Sequence, residues 1–164
     1  MKRMTDAEAL DLLRSRDLLG AGARAHAARE HLVPGGLATF IVDRNINYTN
    51  VCVSGCRFCA FHCPPGSAEA YVLSREEIYA KIEETLALGG TGIMMQGGLH
   101  PDLDITYFEA LFKAIKQRYD VTIHSLSAPE IVHVSRVSGL DIVEALRRLK
   151  AAGLDSLPGG GAEI

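Results

Sequence analysis

Apolar positions in the middle of the chain follow two alternating rhythms. Behind Ser74, the residues Ile78, Ile82 and Leu86 recur at helical spacing, and behind Thr106 the residues Phe108, Leu111, Phe112 and Ile115 do the same. Each pattern predicts a helix that buries one stripe. Between these periodic segments lie short apolar or β-branched runs with no helical period: ATFIVD (38–43), TGIMMQ (91–96), VTIHSL (121–126) and LDSLPG (154–159). Such runs predict buried parallel strands. Helix starts are marked by Ser, Thr or Asp followed three residues later by Glu, a spacing at which each side chain satisfies an unpaired amide of the first turn. Five such pairs occur: Thr5 with Glu8, Ser74 with Glu77, Thr106 with Glu109, Ser127 with Glu130, and Asp141 with Glu144.

Strand and helix alternate in steps of about 30 residues, the signature of βαβ units, whose ligands gather at the carboxyl ends of the strands. Four loops are therefore expected to carry the chemistry: the cysteine-rich stretch after the first strand, QGGLHPD after the second, SLSAPE after the third and PGGGAE after the fourth. Residues 5–32, rich in Ala and Leu, predict a helical lead-in that ends near Pro34, Gly35 and Gly36. The expected fold class is α/β, with parallel βα units preceded by N-terminal helices. Four parallel strands do not close a barrel, and the last has no following helix, so an incomplete barrel is expected.

Composition narrows the function class. Apolar residues make up 48% of the chain and the formal net charge is −3, which gives no basic field to attract nucleic acid or anionic lipid. A small-molecule substrate is expected, with no nucleic-acid or membrane partner. No apolar run is long enough to span a bilayer, and the opening MKRMTDAEAL lacks the apolar stretch of a secretion signal. The expected compartment is the cytoplasm. Thiols stay reduced there, so clustered cysteines point to metal or redox chemistry rather than to structural disulfides.

All four cysteines fall in the stretch NYTNVCVSGCRFCAFHCPPG (47–66), at positions 52, 56, 59 and 63. Three readings compete. A four-thiolate zinc site is chemically possible, although structural zinc sites usually join two separated knuckles in a fold too small to stand alone. A ferredoxin-type cluster is suggested by Cys56, Cys59, Cys63 and Pro64, which reproduce the end of that pattern with the first gap one residue too long. The third reading takes Cys52, Cys56 and Cys59 as CxxxCxxC with Phe58 before the last.

That third spacing resembles the radical S-adenosylmethionine (SAM) enzymes. The resemblance implies three thiolates on a 4Fe-4S cluster and an open fourth iron that SAM chelates, so that one electron yields a 5'-deoxyadenosyl radical. Cys63 is then surplus, because a fourth thiolate would close the open iron. The phrases DRNINYTNVC, CRFCAF, EAYVLSREEI, MQGGLHPDL, APEI, RVSG and DSLPGGGAEI resemble, within that superfamily, the cyclic dehypoxanthinyl futalosine synthases of menaquinone synthesis. Aminofutalosine synthase and the subunit of deazaflavin (FO) synthase that joins a tyrosine fragment to a pyrimidine share much of this text. HCPPGSA, with its extra cysteine, departs from the pattern.

The expected division is the N-terminal helical lead-in over 1–36 and, as the resemblance implies, the first four βα units of a radical SAM barrel over 37–164. It implies dehypoxanthine futalosine as substrate, a carbon-carbon bond between ribose and benzoate ring, and an external electron donor such as flavodoxin or ferredoxin. It also assigns cofactor-binding positions. Phe58 lies beside the cluster, and Gln96, Gly97 and Gly98 lie where related enzymes receive the SAM amino group, the alternative being a tight βα turn. Glu163 is placed to accept hydrogen bonds from the SAM ribose or amine, the alternative being a solvated terminal residue. His100 is the candidate proton acceptor for rearomatisation, against an exposed loop histidine. His124 reads as a core histidine with a satisfied hydrogen bond, Ser127 as an N-cap, Met94 and Met95 as core filler, and Asn45, Asn47 and Asn50 as shaping the turn into the cysteine loop.

Overall fold

The computed structural model describes residues 3–159. The chain falls into two compact units, 1–40 and 41–164. In the first, helices α1 (Asp6–Arg14) and α2 (Leu18–Leu32) each start on a capping side chain. Thr5 and Glu8 form the expected reciprocal box, and Asp17 Oδ1 accepts the Gly20 amide at 2.8 Å. Neither helix buries a residue fully, in keeping with a sequence that is mostly Ala, Arg and Glu between scattered leucines.

The second unit contains, among the described residues, a three-stranded parallel sheet in the order β1 (Asp43–Asn47), β2 (Gly92–Gln96), β3 (Thr122–Ser125). The crossovers are α3 (Arg75–Ala87) and α4 (Ile105–Arg118), and α5 (Ala128–Val137) and α6 (Ile142–Ala152) follow β3. Ile46 pairs with Met95 across β1 and β2, and Ile93 pairs with Ile123 across β2 and β3. These side chains are buried and belong to one apolar cluster with Ile78 and Ile82 of α3 and Phe108, Leu111, Phe112 and Ile115 of α4. Burying side chains of this size contributes about 1.5–3 kcal/mol each, which holds the helices on one sheet face. The opposite face presents Asn45, Asn47, Met94, Gln96 and His124, none of them fully buried. The strands are thus buried on one side only, where the apolar runs had predicted burial throughout.

Two predicted strands move. The run 38–42 is not a strand, and Phe40 is 86% exposed; the ladder begins at Asp43 and uses DRNIN instead. Only Ile46 of that strand is fully buried, so its sequence carries little apolar signal. The run 154–159 supplies one parallel bridge, Ser156 to His124, with the Asp155 amide on the Ile123 carbonyl at 3.0 Å.

Helix starts follow the predicted caps with one exception. Asp104, not Thr106, caps α4: its Oδ1 accepts the amides of Thr106 at 2.9 Å and Tyr107 at 3.2 Å. Thr106 donates its own hydroxyl to the same oxygen at 2.6 Å, which leaves Glu109 free to pair with Arg148 of α6. On α3 the third buried position is Thr85; Leu86 is 37% exposed. Among the described residues no helix is long and apolar enough to cross a membrane.

Candidate functional site

The carboxyl ends of the three strands open onto one face, and the loop after β1 is pinned there by a dense set of hydrogen bonds. Tyr48 accepts the Leu73 amide on its carbonyl at 2.8 Å, and Thr49 donates its hydroxyl to the Tyr71 carbonyl at 2.6 Å. Asn50 clasps the same segment from both ends of its amide, donating from Nδ2 to the Glu69 carbonyl at 2.8 Å and accepting the Tyr71 amide on Oδ1 at 2.9 Å. Asn45 and Asn47 belong to β1 itself, so of the three asparagines only Asn50 shapes the loop. The return limb is joined through the Cys63 amide on the Asn50 carbonyl at 2.9 Å and the Cys52 amide on the Cys63 carbonyl at 3.0 Å. The β2 loop is tied in as well, Gly98 donating to Thr49 and Val53 to Leu99, both at 3.1 Å.

This scaffold holds Cys52, Cys56 and Cys59 as free, half-buried thiols. Ser54 touches two of the sulfurs: its amide lies 3.4 Å from Cys52 Sγ, and its hydroxyl lies 3.2 Å from Cys56 Sγ. A turn with the Cys59 amide on the Cys56 carbonyl, at 3.1 Å, brings the third cysteine round. Cys52 and Cys59 line a cleft of about 360 Å³ together with Phe58, Gln96, Gly97 and Gly98. Cys56 stands outside that lining, with its sulfur against the Ser54 hydroxyl. Phe58 is 81% exposed, a large ring held at the cleft with little of its surface packed. Among the described residues no three ligating side chains converge on one point, as a mononuclear zinc site requires. A 4Fe-4S cube takes each thiolate on a different iron, and three reduced thiols spread along one short loop, two of them facing a common cleft, fit that group.

Gly97 and Gly98 serve packing. A Cβ on Gly97 would come within 2.6 Å of the Tyr48 ring, and one on Gly98 would strike the Val51 carbonyl and Cys52. Both amides are already spent, Gly97 on Glu130 and Gly98 on Thr49. At this strand end the Gln96 side chain is therefore the group facing the cleft.

Glu130, on the first turn of α5, is only 3% exposed, and its two oxygens collect four donors. Oε1 accepts the Tyr48 hydroxyl at 2.7 Å and the Gly97 amide at 2.9 Å; Oε2 accepts the Ser127 amide at 2.7 Å and the Ser127 hydroxyl at 2.5 Å. Burial pushes the Tyr48 phenol well above its usual range, and the Glu130 charge adds to the effect. Leu126, at φ 62°, makes the left-handed turn that keeps its own side chain in the core while Ser127 and Glu130 reach the cleft.

His100 lies outside this cleft. Its Nδ1 accepts the Asp102 amide at 3.1 Å, and its carbonyl takes a hydrogen bond from His133 Nε2 at 2.8 Å. His124 has the hydrogen bond expected of it, 2.6 Å from Nδ1 to Ser156 Oγ, but sits half-buried on the open sheet face. Met95 is core and Met94 is not fully buried. Glu163 lies outside the described residues. Five lining residues carried no site signal in the sequence: Thr49, Phe61, His62, Tyr71 and Glu130. His62 was legible in principle, three positions after Cys59, where its Nδ1 donates to the Cys59 carbonyl at 2.9 Å.

Comparison with known proteins agrees with this arrangement. The profile of the Radical SAM superfamily matches residues 46–161. Cyclic dehypoxanthine futalosine synthase of Streptomyces coelicolor is 47% identical over 99% of this chain and 42% of its own length. The 5-amino-6-(D-ribitylamino)uracil–L-tyrosine 4-hydroxyphenyl transferase of Methanopyrus kandleri is 44% identical over 85% of this chain and 38% of its own. Among solved structures, methylornithine synthase (PylB) superposes with a TM-score of 0.62 at 18% identity, covering 97% of this chain and 56% of that one, which supports the fold alone. The chain spans less than half the length of these two curated relatives. With a family match over most of the β1-to-Gly161 region and the thiol loop at the end of the first strand, the chain belongs to the Radical SAM superfamily, whose enzymes work with a 4Fe-4S cluster and SAM.

Proposed function

We propose that this chain carries the cluster loop and part of the SAM site of a synthase that closes dehypoxanthine futalosine to its cyclic form in menaquinone synthesis. The observation that carries this reading is the 47% identity to the Streptomyces coelicolor cyclic dehypoxanthine futalosine synthase across nearly the whole chain, cysteine loop included. Cys52, Cys56 and Cys59 are the proposed cluster ligands, with Cys63 excluded by its burial. When bound, the group supplies one-electron reductive cleavage of SAM. Phe58 provides an apolar ring for SAM to pack on, and the Gln96 side chain an acceptor for its amino group. Glu163 is carried as a further SAM contact from its place in the sequence after Gly159, Gly160 and Gly161, whereas His100, outside the cleft with its Nδ1 occupied, is not carried as the proton acceptor that the resemblance implies. The compartment proposed is the cytoplasm, with flavodoxin or ferredoxin as electron donor.

The overall conversion removes two hydrogens from the substrate. One leaves as an atom and appears in 5'-deoxyadenosine; the other leaves as a proton, and its electron goes to an external acceptor once the new ribose–aryl bond has formed. A second reading has equal standing on the cleft and nearly equal identity: transfer of a 4-hydroxyphenyl group from tyrosine to the ribitylaminouracil, as the Methanopyrus kandleri relative is named. Full-length protein, reconstituted anaerobically with iron and sulfide, reduced and given SAM, separates the two. Release of 5'-deoxyadenosine with a product lighter than dehypoxanthine futalosine by two hydrogens supports cyclisation. Turnover of tyrosine with the ribitylaminouracil, and no consumption of the futalosine derivative, overturns it.

A further inference from the structure

Among the described residues, the carboxylate of Glu130 is the one side chain that bonds directly to groups from all three strand ends of the sheet. Through Tyr48 it holds the end of β1, through the Gly97 amide the end of β2, and through Ser127 the turn after β3. Each of these segments contributes to the cleft: Cys52 lies four residues past Tyr48, Gln96 precedes Gly97, and Ser127 lines the cleft itself. With four donors on two oxygens the carboxylate has no capacity left for a ligand, so its task is internal. We propose that Glu130 is a positioning residue that fixes the Gln96–Gly97 strand end relative to the cysteine loop, so that SAM meets both at once. This rests on the reading of the cleft as the cluster and SAM site.

The hydrogen-bond inventory makes the position specific for a carboxylate. Oε1 faces a backbone N–H from Gly97, and Oε2 faces one from Ser127; neither can reverse its polarity. A glutamine amide, in either flip, sets an NH2 against one of these fixed donors and leaves both unpaired in a buried place. Glu130→Gln therefore disrupts one of the two strand-end contacts although it keeps shape and volume. Tyr48→Phe is milder, because Oε1 retains the Gly97 amide.

Full-length protein carrying Glu130→Gln, Tyr48→Phe or, as a control for general destabilisation, the core change Val134→Ala is reconstituted and titrated with SAM, read by the change in the electron paramagnetic signal of the reduced cluster. Glu130→Gln is expected to keep wild-type iron and sulfide content but to weaken SAM binding about 10- to 100-fold, with Tyr48→Phe at about three- to tenfold. Val134→Ala is expected to lower the melting temperature and leave the SAM titration unchanged. A wild-type titration for Glu130→Gln, or an equal loss with Val134→Ala, overturns the proposal. Should Glu130→Gln fail to fold, Tyr48→Phe decides, and unaltered SAM affinity there overturns it too. A wild-type protein that takes up no cluster removes the cluster reading instead, and the positioning role falls with it.

Discussion

Cys52 donates its amide to the Cys63 carbonyl at 3.0 Å, yet the two side chains occupy different surroundings. Cys52 lines the cleft, whereas Cys63 is 5% exposed with its Sγ 3.5 Å from the Pro64 carbonyl. A buried thiol of this kind behaves as a small apolar side chain, and the loop needs its backbone rather than its sulfur. Cys63→Ala is therefore expected to retain full iron content at a stability cost of about 1 kcal/mol. Cys52→Ala, Cys56→Ala and Cys59→Ala are each expected to abolish cluster assembly. Iron and sulfide analysis of the four variants checks this, and loss of iron in Cys63→Ala would favour the ferredoxin-like pattern.

Gly98 gives a second, sterically driven expectation. A methyl group there meets the Val51 carbonyl, part of the strand-to-loop backbone that has no room to retreat, and the Cys52 Cβ. Gly98→Ala is expected to destabilise by about 1–3 kcal/mol, the range for overpacking, and to displace Cys52 from its partners. Denaturant titration of the apoprotein, followed by reconstitution, should show both a lower midpoint and reduced cluster yield. A normal yield with normal stability would mean that the loop packs less tightly than described.

The parts of this architecture that were legible in the sequence are those in which one residue determines its own local partner. Ser74 and Glu77 cap α3 as expected, and the stripe Phe108, Leu111, Phe112, Ile115 is buried throughout. The cysteine spacing likewise points to a chemistry without reference to the rest of the fold. What was misread depends on tertiary pairing. β1 is set by its register against Gly92–Gln96, so polar DRNIN forms the ladder while the more apolar ATFIV stays exposed. Glu130 was visible as a helix cap, but its contacts with Tyr48 and Gly97, 82 and 33 residues away, are not encoded in any local pattern. Asp104 outcompeted Thr106 as a cap because a charged carboxylate accepts two amides at once.

Acid should loosen the packing of the second unit through two depressed carboxylates. Glu109 of α4 meets Arg148 of α6 in a two-pronged pair, at 3.0 Å and 2.6 Å, and the Arg148 hydrogen bond holds its carboxyl below the usual range. Burial works to raise Asp155, but the Lys116 ammonium and the Ile123 amide outweigh it and hold this carboxyl low as well. A carboxylate whose folded value is depressed stabilises fully above its unfolded value, about pH 4, and loses that contribution as pH falls through the folded value. Denaturant midpoints are thus expected to fall below about pH 4, and Glu109→Gln should flatten that slope while lowering stability at neutral pH by about 1 kcal/mol. An unchanged acid slope in Glu109→Gln would assign the acid sensitivity to other groups.

His100 offers the sharpest contrast between resemblance and placement. A general base works through a free lone pair within reach of the proton it removes. In His100 the Nδ1 lone pair already accepts the Asp102 amide at 3.1 Å, which leaves the proton of the neutral ring on Nε2, and the ring lies outside the cleft that holds Cys52 and Cys59. Its carbonyl meanwhile anchors His133 of α5 at 2.8 Å, so the residue ties the β2 loop to that helix. From this placement His100→Gln is expected to lower 5'-deoxyadenosine release and product formation in parallel, by no more than about fivefold, the effect of one lost hydrogen bond. The full-length enzyme, assayed for both products in the same reaction, provides the test. A variant that still releases 5'-deoxyadenosine at the normal rate while product formation collapses would restore His100 as the proton acceptor. The loop would then have to bring the imidazole into the cleft during turnover, breaking the Asp102 contact as it moves.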